Sequence, residues 1–137
     1  MDAQQEKEAK ILRNTRTIAV VGCSKEEGKP SHDIPAYMQS VGFRIVPVNP
    51  NADMILGEKC YKNVKEIPFK VDLVDVFRPS NEALSVTMAA FEAGITRVWL
   101  QLGIYSKEAE DFAASKGMEF VMDRCIMVEY NKLKDAI

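Results

Sequence analysis

The stretch TIAVVGCSKEEGKPSHDIPAYMQSVG, residues 17–42, decides how the rest of the chain reads. An apolar run, Ile18-Ala19-Val20-Val21, ends at Gly22, and a polar loop follows. Residues 32–41 then place Ile34, Tyr37, Met38 and Val41 on one helical stripe, with Gly42 as the stop. A strand, a glycine and a helix start are the parts of a phosphate-binding turn. The loop carries Ser24, Lys25, Gly28, Lys29, Pro30 and Ser31 before His32 opens the helix. Free backbone N–H groups and a positive helix end favour an anion there. An exposed loop with solvated lysines accounts for the same residues equally well.

Four more apolar runs lie downstream: 44–48 (RIVPV), 71–77 (VDLVDVF), 97–101 (RVWLQ) and 119–122 (EFVM). They are too continuous for one-sided antiparallel strands and read as strands covered by helices on both faces. Between them, residues 80–93 form a helical pattern with Ser80 as N-cap, Leu84, Met88 and Phe91 inside, and Gly94 as stop. Residues 106–116 repeat the plan with Ser106 as cap and Ala109, Phe112 and Ala113 inside. A polar amphipathic helix near 3–14 precedes the first strand, and a short one follows Cys125. The segment 51–70 is loop-like, with one helical turn near 63–67. Alternating strands and helices imply right-handed crossovers and a parallel sheet. The expectation is an α/β, Rossmann-like three-layer sandwich. Its five-stranded parallel sheet takes the order 3-2-1-4-5, in a single domain over 1–137.

Hydrophobic residues make up 47% of the 137 and charged residues 28%, with a net charge of -2, an ordinary globular balance. No stretch is densely basic, which argues against nucleic acid as a partner. The first residues are polar with no apolar signal region, and no apolar run approaches the length of a membrane span. Cys23, Cys60 and Cys125 are odd in number and far apart, so they make neither a disulfide framework nor a CxxC pair. With one histidine, the chain offers no zinc site of the usual kind and no metal is expected. A reducing, cytoplasmic compartment fits these features.

Two nucleotide fingerprints are testable within the sequence. The NAD pattern asks for G-x-G-x-x-G after strand one and an acidic residue at the end of strand two. Here Gly22 is followed by Cys23, Ser24 and Lys25, and strand two ends Val48-Asn49-Pro50, with Asp53 beyond the proline. A Walker loop fails as well, because Lys29 is followed by Pro30 and not by serine or threonine. In an open parallel sheet a ligand still belongs outside the carboxyl ends of the strands.

Six stretches in order, GCSKEEGKPSH, GFRIVPVNPN, GEKCY, VDLVDVFRPS, VWLQLGI and MDRCIMVEY, resemble the small stand-alone CoA-binding proteins. The fold of these proteins is similar to the CoA-binding domain of the succinyl-CoA synthetase alpha subunit. The likeness runs from about 11 to 133 and implies a ligand, coenzyme A or an acyl-CoA, held at the strand ends. It assigns Gly22, Cys23, Ser24 and Lys25 to the mouth of the site at the pyrophosphate end, continued by Lys29, Pro30, Ser31 and His32. Val48, Asn49 and Pro50 would flank the adenosine, Phe77, Arg78 and Pro79 the pantetheine route, and Gln101, Gly103 and Ile104 the opposite side. Three positions depart from the resemblance. Cys23 stands in place of alanine, Lys29 in place of arginine, and Asn51 where a lysine often follows Asn-Pro.

Individual residues carry competing readings. The helix end and Lys25 would lower the pKa of Cys23 and allow exchange with a CoA disulfide, whereas a small residue packed beneath the loop needs no such role. His32 at a helix start suits anion contact as neutral imidazole. Arg78 and Arg124 either fork an anion or pair with Asp75 and Asp123. Trp99 belongs to the core, and Tyr105 lies in a loop near the strand ends. No nucleophile, base and orienter stand together, so no catalytic residue is assigned and enzyme status stays open. The leading expectation is a CoA-binding protein without a catalytic centre. Thiol-dependent CoA-disulfide exchange at Cys23 and an NAD(H)-sensing module are the alternatives. A homodimer or an unidentified protein partner is compatible with the helical faces.

Overall fold

A computed structural model describes residues 1–137. Its long strands are β1 (Thr17–Val21), β2 (Arg44–Val48), β5 (Leu73–Val76), β6 (Arg97–Leu100) and β7 (Glu119–Val121). Two short strands, β3 (Met54–Ile55) and β4 (Glu58–Lys59), form a separate hairpin. The helices are α1 (Ala3–Arg13), α2 (Pro30–Ser40), α3 (Ala83–Glu92), α4 (Lys107–Ser115) and α5 (Ile126–Leu133). No helix is long and apolar enough to cross a membrane.

The five long strands are all parallel, and β1 shows why their apolar runs are continuous. Ile18 and Val20 point to one face, where they pack with Ile11 and Leu12 of α1, Met38 of α2, Ile126 of α5, Trp99 and Leu73. Ala19 points to the other, with Val74, Val76, Leu100 and the alanines of α3 and α4. A strand with a helix layer on each side has no polar face to alternate with. Trp99 is fully enclosed, as expected of core, and its indole N–H donates to the Arg124 carbonyl at 2.9 Å. The three-layer, Rossmann-like class is therefore as the sequence implies.

The strand order differs from the expected 3-2-1-4-5. The third long strand, β5, pairs with β1 through Ile18↔Leu73 and Val21↔Val76, leaving β2 at the edge. Counting long strands only, the order is 2-1-3-4-5. The outer side of β2 is already occupied. Tyr61 forms a parallel bridge to Val48, giving its N–H to Pro47 O at 3.0 Å and accepting from Asn49 N at 2.9 Å. Pro47 has no N–H to offer a full strand on that side, and proline is confined to edge strands for this reason. The segment between β2 and β5 carries only the hairpin and a 3-10 turn, Val64–Glu66, in place of a crossover helix.

Two helix starts also move. α2 begins at Pro30, two residues before His32, because proline is pre-set for the first helical position and its missing N–H is not needed there. Ser80 does not cap α3. It opens a 3-10 turn, Ser80–Glu82, and its hydroxyl accepts from Tyr105 N at 3.0 Å, tying the loop after β6 to the end of β5. Ser106 does cap α4, accepting from Ala109 N.

Candidate functional site

The carboxyl ends of β1, β2 and β5 enclose a cleft of about 510 Å³, within the range of small-molecule sites. Two other clefts, of about 310 and 540 Å³, lie at the opposite end of the sheet, beside Ile95 and beside Met118–Glu119. Ligands of open parallel sheets bind at the carboxyl ends, where the strand order reverses. A further cleft of about 410 Å³ lies at the carboxyl ends of β6 and β7, beside Leu102 and Asp123, but the first is the one at the point of reversal, between β1 and β5.

Gly22 forms its floor. Its φ is +85°, and a Cβ there would stand 2.7 Å from the Phe77 carbonyl oxygen and 2.9 Å from Arg78 Cδ. No other residue type fits without displacing β5's end. Gly22 N donates to Val48 O at 3.0 Å and Phe77 N to Val21 O at 2.8 Å, so three strand ends meet at this glycine.

The loop that follows is held by hydrogen bonds at both of its ends and within it, among them Lys29 N to Glu26 O at 3.4 Å. Ser24 N donates to Ser31 O at 3.0 Å, and Ser24 Oγ accepts from Glu26 N at 3.0 Å. Gly28 N donates to the Asp33 carboxylate at 3.1 Å, and Asn49 Nδ2 donates to Cys23 O at 2.9 Å. Contact with His32 first, and then with Gly28 N, holds the Asp33 carboxyl below its usual range. Lys29, the N-cap of α2, makes no side-chain cap and pairs instead with Glu26 at 3.0 Å. The N–H groups of Cys23 and Ser31, both in the cleft wall, meet no acceptor within the protein. Ser31 N–H, in the first turn of α2, is open to an anion, whereas Cys23 is enclosed.

Of the residues expected here, Gly22, Cys23, Ser24, Lys29, Ser31, Val48, Asn49, Pro50, Phe77 and Arg78 line the cleft. Lys25 and Pro79 belong to the same loops and Pro30 and His32 to the first turn of α2, but none is in its wall, and His32 Nδ1 lies 3.1 Å from Asp33. Gln101, Gly103 and Ile104 are elsewhere. Gln101 is buried, donating to Asp75 and accepting from Ile126 N. Gly103 N donates to Asp123, and Ile104 packs against the α3–α4 core. Tyr105 is exposed and outside the wall. Arg78 pairs with Glu82, through Nε at 3.1 Å and a terminal nitrogen at 2.8 Å, and not with Asp75. Arg124 contacts Asp123 O at 3.2 Å and lies 3.9 Å from Glu8.

Cys23 is a correction. Its side chain is fully buried, and burial, with Cys60 and Asp75 nearby, pushes the thiol up to about 12. Neither the helix end nor exposed Lys25 lowers it, because desolvation of the thiolate outweighs both. Asn51, which the sequence marks only as a departure from the resemblance, also lines the cleft, as do Val21, Lys62, Glu82 and Val86, which carry no site signal in the sequence. Lys62 is the clearest case. It arrives through the single bridge at Tyr61, and one bridging residue leaves no periodic pattern to read.

The pattern of the CoA binding domain matches residues 16–131, most of the chain. This chain belongs to the CoA-binding domain family. It is 38% identical over 120 residues to YneT of Bacillus subtilis (strain 168), covering 88% of this chain and 89% of that one. It is also 35% identical over 107 residues to acetate–CoA ligase [ADP-forming] II of Archaeoglobus fulgidus. That match takes in 77% of this chain but 15% of the ligase. Among solved structures, a hypothetical protein from Pyrococcus horikoshii OT3 superimposes with a TM-score of 0.91 at 32% identity, over 95% of this chain and 92% of that one.

Proposed function

We propose that the cleft at the carboxyl ends of β1, β2 and β5 binds coenzyme A or an acyl-CoA, and that the protein acts by binding and not by catalysis. The observation that carries this reading is the anchored loop after β1. Its Ser31 N–H, without an acceptor in the protein, sits in the first turn of α2, in a chain of the CoA-binding domain family. The pyrophosphate rests on this donor and on the positive end of α2. The apolar wall of Phe77, Val21 and Val86 accepts the pantetheine arm, and the β2 end, with Pro50 and Asn51, borders the adenosine.

The enclosed Cys23 thiol supports binding over disulfide exchange, since the thiolate is the attacking species. The β2 end carries Asn49-Pro50-Asn51 and no carboxylate to take the ribose hydroxyls of NAD, and the cleft's Glu82 follows β5 and is paired with Arg78, which supports CoA over NADH. The reaction of the ligase is not carried over, because the matched part is a small fraction of that enzyme. Calorimetric titration with CoA and NADH tests the reading. Saturable CoA binding is expected, and heat from NADH with none from CoA would replace it with a dinucleotide site.

A further inference from the structure

Three cations line the cleft, and two of them already have partners. Lys29 pairs with Glu26, and Arg78 makes a two-pronged contact with Glu82. Lys62 is exposed and meets no carboxylate. It follows directly on Tyr61, which runs parallel to β2 along its outer edge, so it emerges beside Asn49 at the carboxyl end of the sheet. Both ends of the Asn49 amide already hold a partner: Nδ2 donates to Cys23 O and Oδ1 accepts from Asn51 N. The one uncommitted charge at this end of the cleft is therefore positive.

The sign matters because of what the end of the second strand does in nucleotide-binding sheets. It faces the ribose: a carboxylate there takes bare hydroxyls, whereas a cation accommodates a phosphate on the sugar. We propose that Lys62 is a specificity-determining residue that selects a ribose-phosphorylated nucleotide. If the cleft holds CoA, as argued above and on which this inference rests, the group read is the 3′-phosphate. An isolated ammonium ion, not spent on a protein carboxylate, gives up only water to contact the phosphate. Arg78 would first have to leave a two-pronged contact.

The test is a calorimetric comparison of the full chain and its Lys62→Ala and Lys62→Arg variants with two ligand pairs: CoA against dephospho-CoA, and NADPH against NADH. The readout is the affinity ratio within each pair, which a general loss of structure would not change selectively. The unaltered protein is expected to prefer CoA over dephospho-CoA by about tenfold, the ratio falling close to one in Lys62→Ala and recovering in Lys62→Arg. A ratio near one in the unaltered protein, or a ratio that survives in Lys62→Ala, overturns the assignment while CoA binding itself stands. Silence with both CoA forms, with a Lys62-dependent preference for NADPH over NADH, keeps the role of Lys62 and overturns the CoA reading instead.

Discussion

The Ser24 N–H donates to the Ser31 carbonyl at 3.0 Å, and that carbonyl is free to accept because Pro35, one turn further along α2, has no N–H. Proline inside a helix normally costs stability by removing such a bond. Here the vacancy in the helix ladder is filled from the phosphate-side loop. The helix defect and the loop's position are one feature.

Pro35→Ala would return a competing donor to the Ser31 carbonyl. The helix gains a bond and the loop loses its tie, a change of about 1 kcal/mol for one hydrogen bond. CoA affinity should fall several-fold while the thermal midpoint holds or rises. A midpoint that falls together with affinity would show that Pro35 serves only packing.

Gly22→Ala tests the floor of the cleft. The backbone at φ +85° costs a side-chain-bearing residue about 1–3 kcal/mol, and the new Cβ meets the Phe77 carbonyl at 2.7 Å. We expect a lower denaturation midpoint and loss of CoA binding. A variant as stable as the parent would mean that β5's end yields at little cost.

Much of this arrangement is legible in the sequence. The apolar run, glycine and helix of residues 17–42 announce the turn, and the ends of β2 and β5 announce two walls. Strand order was hidden, because apolar runs report that a strand exists and not what it lies beside. Pro47 was the available clue, as a residue that marks an edge strand. Gln101 is ambiguous in the sequence for a different reason. A polar residue at a strand end looks the same whether it faces a ligand or, as here, a buried carboxylate. Lys62 was out of reach, since its position depends on one long-range bridge.

Asp75 gives a pH signature. It is fully buried in β5, and desolvation raises its carboxyl from 3.8 to about 7 despite the Gln101 contact. The folded state keeps this proton where the unfolded chain has lost it. Its contribution to stability is complete below the unfolded value and is lost as pH rises through the folded one. Asp75→Asn stays neutral, so its stability relative to the parent should climb across that window, by up to ~1.4 kcal/mol per pH unit. Glu8 is shifted in the same direction, also to about 7, which is why the difference between variant and parent is the quantity to read. Denaturation midpoints across this pH range supply it, and a constant difference would show that Asp75 ionises in place.

Thiol reactivity separates binding from exchange. With Cys23 and Cys60 buried, only Cys125 is partly accessible. Alkylation of the folded protein at neutral pH, read by peptide mass, should label Cys125 alone, with Cys23 modified only after denaturation. Rapid native labelling of Cys23 would restore the exchange mechanism.

The most direct test of the central claim is to follow backbone amide resonances while CoA is added. The account predicts shifts concentrated at Cys23, Ser24, Ser31 and residues 49–51, with those beside Ile95 and Met118 unmoved. Shifts confined to the clefts at the opposite end of the sheet, or none with CoA at saturating concentration, would contradict it.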